Sequence, residues 1–126
     1  MPRVQLIFDA AAREDPLATI STELPNKEFS ILSSHPTDDG ILGLVELDTS
    51  QPDTVIQHFQ DAPEMSHEVL HNDGQTVVIQ YLIPETESNC ALRASGILPR
   101  FPAHLQDGWL TAEHTASRER VSQLPT

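Results

Sequence analysis

Apolar residues recur along this chain in short, strand-like runs, and three of those runs follow an Asp-Gly step. Asp39-Gly40 leads into Ile41-Leu42-Gly43-Leu44-Val45, Asp73-Gly74 is followed by Val77-Val78-Ile79, and Asp107-Gly108 by Trp109-Leu110. The steps are evenly placed, each 34 residues after the last. Glycine reaches positive φ without a Cβ clash, so an Asp-Gly step between strand-like runs predicts a hairpin. Hairpins at a fixed period predict a repeated supersecondary unit.

The remaining segments fill in around these turns. Val4 to Phe8 reads as a first strand, with Val4, Leu6 and Phe8 alternating against Gln5 and Ile7. Asp15-Pro16 starts a helix, since Asp accepts from an orphan amide and Pro is preset for the first turn. Leu17, Ile20 and Leu24 share one face of that helix, and Pro25-Asn26 ends it. The first unit then runs in over Phe29 to Ser34 and out over Ile41 to Leu47. Ser50 and Pro52 open a helix carrying Val55, Ile56 and Phe59. The second unit runs in over Met65 to Leu70 and out over Gln75 to Ile83. A helix over Thr86 to Ala94 follows, with Cys90, Ala91 and Ala94 on its small apolar face. The third runs in over Ile97 to Leu105 and out over Trp109 to Thr115. Ser117 caps a last helix bearing Val121 and Leu124.

The order β-α followed by three ββα units predicts an α+β fold. Its sheet is expected to be antiparallel and ferredoxin-like, with the helices packed on one face. Residues 1–126 read as one domain, large enough for a hydrophobic core. A final helix with no strand after it suggests a fragment of a longer chain.

Charge narrows the choice of function. There are 19 Asp and Glu against 7 Lys and Arg, for a net charge of -12. Such a surface repels phosphates, which excludes direct nucleic-acid contact by counterion release and disfavours an anionic membrane. The acids are dispersed among apolar runs, as in a folded domain and not a disordered tail. Lys27 is the single lysine. Lysine-poor, acid-rich surfaces suit a halophilic archaeal cytoplasm, where molar salt screens self-repulsion within a few ångström. One cysteine, Cys90, permits no disulfide framework, and no apolar run is long enough to span a membrane. A cytoplasmic location is expected.

Candidate chemistry is sparse. His67-Glu68-Val69-Leu70-His71 matches the His-Glu-x-x-His zinc string, which works only on a helix that aligns both imidazoles. Here a hairpin turn follows at once. On a strand the two histidines would share a face about 13 Å apart, too far for one ion. Cys90 reads as a small core residue, Asp38-Asp39 as turn formers, and Ser33-Ser34 and Ser21-Thr22 lack the setting of a nucleophile. Five glycines leave no phosphate-binding loop. No residue is assigned as catalytic or metal-binding, no cofactor is assigned, and the chain is read as non-enzymatic. Trp109 is expected to be buried at the edge of the helix–sheet core.

An acidic, lysine-poor chain that alternates helices and hairpins, with the strings NDGQTVVIQY and QDGWLTAEH, resembles the N-terminal regulatory region of haloarchaeal bacterio-opsin-activator-like transcriptional regulators. That resemblance implies a signal-input and dimerisation domain. It implies a helix-turn-helix domain C-terminal to and outside this chain, a homo-oligomer, and a small-molecule effector. A second reading is a small ferredoxin-like enzyme or metal-dependent protein, which requires several of His35, His67, His71 and His104 to converge. A third is an oligomerisation module that binds nothing small. If the acidic surface is a salt adaptation, the melting temperature rises steeply from low to molar potassium chloride; a melting curve indifferent to salt would remove that argument.

Overall fold

The structure, a computed structural model, describes residues 3–11, 15–85 and 98–115. Its elements run β1 (Arg3–Asp9), α1 (Pro16–Glu23), β2 (Phe29–Thr37), β3 (Gly40–Asp48), α2 (Pro52–Asp61), β4 (Ser66–Asn72), β5 (Thr76–Ile83), β6 (Leu98–Gln106) and β7 (Trp109–Thr115). The strands form one seven-stranded sheet in the order β1-β7-β6-β2-β3-β5-β4, with every neighbouring pair antiparallel. The fold is therefore α+β, as the pattern predicts. The helices expected over Thr86–Ala94 and Ser117–Leu124, with Cys90, lie outside the described residues.

All three Asp-Gly steps close hairpins. Gly40, Gly74 and Gly108 each adopt positive φ, and the flanking strands pair as β2–β3, β4–β5 and β6–β7. In the second turn the Asp73 carboxylate accepts from the Gln75 amide (2.9 Å) and the Thr76 amide (2.8 Å), while Asn72 accepts from Gly74 (3.1 Å). These are local Asx bonds of the kind that favour Asn and Asp in turns.

The helices begin differently. Asp15 caps α1 by accepting from the Leu17 amide at 2.9 Å and the Ala18 amide at 3.3 Å, with Pro16 opening the first turn. At α2, which Ser50 and Pro52 are expected to open, Ser50 lies before the cap. Gln51 occupies the cap position without a side-chain cap bond, and the buried Thr49 hydroxyl takes the Gln51 amide instead (3.0 Å). Proline at the first helical position leaves one amide fewer to satisfy there.

Both helices cover one face of the sheet. Along β3, Ile41, Val45 and Leu47 are buried; along β5, Val77, Ile79, Tyr81 and Ile83 are buried, each set at alternate positions. α1 adds Leu17, Ala18 and Ile20 to the same core, and α2 adds Val55 and Phe59. Phe29 of β2 and Phe59 of α2 stack with ring centres 6.4 Å apart. Truncating either phenylalanine to Ala costs about 3–5 kcal/mol. The Tyr81 ring lies over Gly43, where a Cβ would stand 2.5 Å from the ring.

Bulges decide where several large side chains go. Register shifts fall between Ile31 and Ser33 in β2 and between Val69 and His71 in β4. The residues skipped, Leu32 and Leu70, are exposed. In β7, Leu110 and Ala112 face the helix layer, so Trp109 projects from the opposite face and is 51% exposed. This corrects the expected burial of Trp109: strand parity, not hydrophobicity, sets its side of the sheet.

A buried polar latch ties α1 to the third turn. The Gly108 amide donates to the Ser21 hydroxyl (2.9 Å), which donates to the Ala18 carbonyl (2.7 Å). The Ala11 amide donates to the Gly108 carbonyl (3.1 Å), and the Asn26 amide to the Asp107 carboxylate (3.3 Å). Ser21 is fully buried, and a Cβ at Gly108 would stand 2.8 Å from side-chain carbons of Ala11 and Thr22. Ser21→Ala, which strands the Gly108 amide, is expected to cost about 1–3 kcal/mol by denaturant unfolding. Gly108→Ala is expected to cost at least about 1 kcal/mol, from positive φ and the close contact together. Wild-type midpoints in both variants would show that the latch carries no stability.

Candidate functional site

Pro16, Thr19, Ile20 and Glu23 recur along α1 at helical spacing and form one wall of a cleft. His58 and Asp61 of α2 form the other, and Ala62, Pro63 and Glu64 close its end. The cleft encloses about 290 Å³. Its apolar lining comes from Ala11, Pro16, Ile20, Ala62 and Pro63; its polar groups are the Thr19 hydroxyl, three carboxylates and one imidazole. The Glu23 carboxylate meets His58 Nδ1 at 3.4 Å, so the two helices are bridged across the cleft. Gln57 donates to Asp61 at 2.9 Å, and the Thr19 hydroxyl donates to the Asp15 carbonyl at 3.1 Å. Carboxylates over an apolar floor suit a small ligand bearing a cationic or hydrogen-bond-donating group.

The histidines singled out in the sequence do not gather. His35 lies at the far end of β2 and is exposed. His67 faces the helix layer opposite Tyr81, its ring 6.2 Å from that of Phe59. His71 sits opposite Val78 with Nε2 3.3 Å from Asp73. The bulge between them places His67 and His71 on opposite faces of β4, so the expectation that they share a face fails. His104 pairs with Glu28 at 2.7 Å, and His114 lies in β7. Among the described residues, no three His, Cys, Asp or Glu side chains come together to hold a metal ion.

Two further polar groups are structural. The Tyr81 hydroxyl bonds to Ser34; burial pushes its pKa well above the usual range, the Asp15 charge adds to that, and the Ser34 bond opposes it. Burial likewise raises the Asp15 carboxyl, against the Ala18 and Leu17 amide bonds. Asp38 and Asp39 form an exposed turn in which the Thr37 hydroxyl accepts from Asp39 and donates to Gly40.

The cleft was not singled out in the sequence. Glu23, His58, Asp61 and Glu64 carry no motif, and the available signal was the helical spacing of Thr19, Ile20 and Glu23 beside the apolar stripe of α1. Which helix that margin meets is a tertiary property. No family model, curated protein or solved structure matches this chain. Among the described residues, no helix is long and apolar enough to cross a membrane.

Asp73 gives a pH test of the second turn. The Thr76 and Gln75 amides, then His71, hold its carboxyl down to about 2 from the ordinary 3.8. A depressed acid contributes stability that is complete above its unfolded value and is lost as pH falls through the folded one. The stability gap between wild type and Asp73→Asn is therefore expected to be constant above about pH 5 and to shrink between about pH 4 and 2. A gap unchanged across that window would contradict the assignment.

Proposed function

We propose that this chain is a signal-input and dimerisation domain of a haloarchaeal transcription regulator, with the cleft between α1 and α2 as its effector site. The observation that carries the reading is this cleft, where two helices meet across an apolar floor ringed by Glu23, His58, Asp61 and Glu64. A ligand bridging the helices biases whichever of their arrangements it binds better. α1 is tied to the β6–β7 turn through Ser21 and Gly108, so a shift of α1 reaches the third hairpin. The net charge of -12 argues that DNA contact belongs to another part of the regulator, and the resemblance to bacterio-opsin-activator-like regulators implies that this part is a helix-turn-helix C-terminal to this chain.

The repeated ββα, ferredoxin-like reading of the architecture belongs with this proposal. Three hairpins turning on positive-φ glycines, with α2 following the first, support it. The metal-dependent alternative draws no support from the scattered histidines.

A thermal-shift screen of small metabolites in molar potassium chloride tests the effector site. A true effector at about 100 times its Kd stabilises by about 2.7 kcal/mol, a melting shift on the order of 10 °C. The shift should vanish in a Glu23→Ala/His58→Ala variant that still folds. Hits that bind the variant equally well would move the site elsewhere, and a polypeptide lacking a basic helix-turn-helix would overturn the regulator reading.

A further inference from the structure

The charge pattern of the α1–α2 cleft narrows what it can hold. Glu23 stands on one wall, Asp61 on the other and Glu64 at the closed end, and among the described residues no lysine or arginine lines it. Three carboxylates are thus offset by the single imidazole of His58, which meets Glu23 at 3.4 Å. Asp61 is met by the neutral amide of Gln57 at 2.9 Å. Such a lining repels an anion and attracts a cation. The acids of the Asp38-Asp39 turn stand in open solvent, whereas these flank an apolar floor that includes Ile20, Ala62 and Pro63.

Spacing then separates two kinds of cation. A metal ion needs donors that converge on one point, and among the described residues no three His, Cys, Asp or Glu do so. The cleft is instead elongated: Pro16, Thr19 and Glu23 line it over two turns of α1, about 10 Å. On α2, Asp61 follows His58 by three residues, which sets it about 5–6 Å from the residue that meets Glu23. Separated negative charges along an apolar floor match a ligand with two positive ends and a hydrocarbon middle. We infer that the cleft takes a linear aliphatic diamine or polyamine, with one ammonium on Glu23 of α1, a second on Asp61 of α2, and the methylenes over Ile20 and Ala62. Methylene chains lie along apolar surface while their charged ends stay in water. The ammonium at Glu23 competes with His58 for that carboxylate. The direct bridge between the helices is thereby exchanged for one that runs through the ligand, which gives the ligand different contacts in the two helix arrangements.

This inference rests on the reading of the cleft as the effector site, and it can fail while that reading stands. The probes are α,ω-diaminoalkanes from diaminopropane to diamino-octane, titrated calorimetrically into the wild-type chain. Potassium chloride is kept at the lowest concentration that holds the chain folded, because molar salt screens exposed charges within about 3 Å. Butylamine, butanediol, succinate and magnesium serve as controls. One diamine length is expected to bind best, at least about fivefold tighter than butylamine, while butanediol and succinate do not bind. Glu23→Gln and Asp61→Asn, which keep the shape of each side chain, should each lower diamine affinity to that of butylamine. Asp38→Asn, which removes the same charge outside the cleft, should leave it unchanged. Diamine binding that survives both cleft substitutions, or that falls equally in Asp38→Asn, overturns the inference, as does magnesium binding of equal affinity. Absence of diamine binding overturns it too. The cleft then stands if an uncharged or anionic metabolite raises the melting temperature of the wild type and not of the Glu23→Ala/His58→Ala variant, and falls with the diamine if none does.

Discussion

One-sided burial of the two central strands is the constraint on which the rest of the molecule depends. β3 and β5 each place every second residue in a dry layer, and Val45, Leu47, Val77 and Ile79 are almost wholly excluded from water. That layer closes only when α1 and α2 lie across the same face, and helices of 8 and 10 residues depend on that packing because they are too short to be stable alone. Phe29 and Phe59 stack at the junction of sheet and second helix. The opposite face carries Leu42, Leu44, Val78 and Leu82 only half-buried. The sheet is thus apolar in its middle on both sides and, among the described residues, sealed by helices on one.

The position of α1 is set by polar contacts as much as by packing. The third hairpin presents the Gly108 amide, and the buried Ser21 hydroxyl satisfies it. An unmet bond there would leave a donor stranded in a low-dielectric interior, so the helix has little freedom to slide. The cleft follows from that placement: with α1 held by the turn and α2 held by Phe59, the margins of the helices meet at Glu23 and His58.

The histidines illustrate how irregularity redirects chemistry. A regular strand would have put His67 and His71 on one side, and a helix would have put them in reach of one ion. The bulge does neither. It turns His67 inward against Phe59 and His71 outward to the second turn, where it helps hold Asp73 ionised. Each imidazole is explained by a local partner.

By itself the sequence determined the three hairpins and the cap of the first helix at Asp15. These depend on local chemistry: glycine at positive φ, and aspartate accepting its neighbours' amides. The tertiary structure alone decided the strand order, the exposure of Trp109, the bulge that separates His67 from His71 and the meeting of Glu23 with His58. In each of these the partners lie far apart in the chain or depend on a register slip of one residue. No local pattern encodes such a pairing, because its energy comes from the face that it happens to bury.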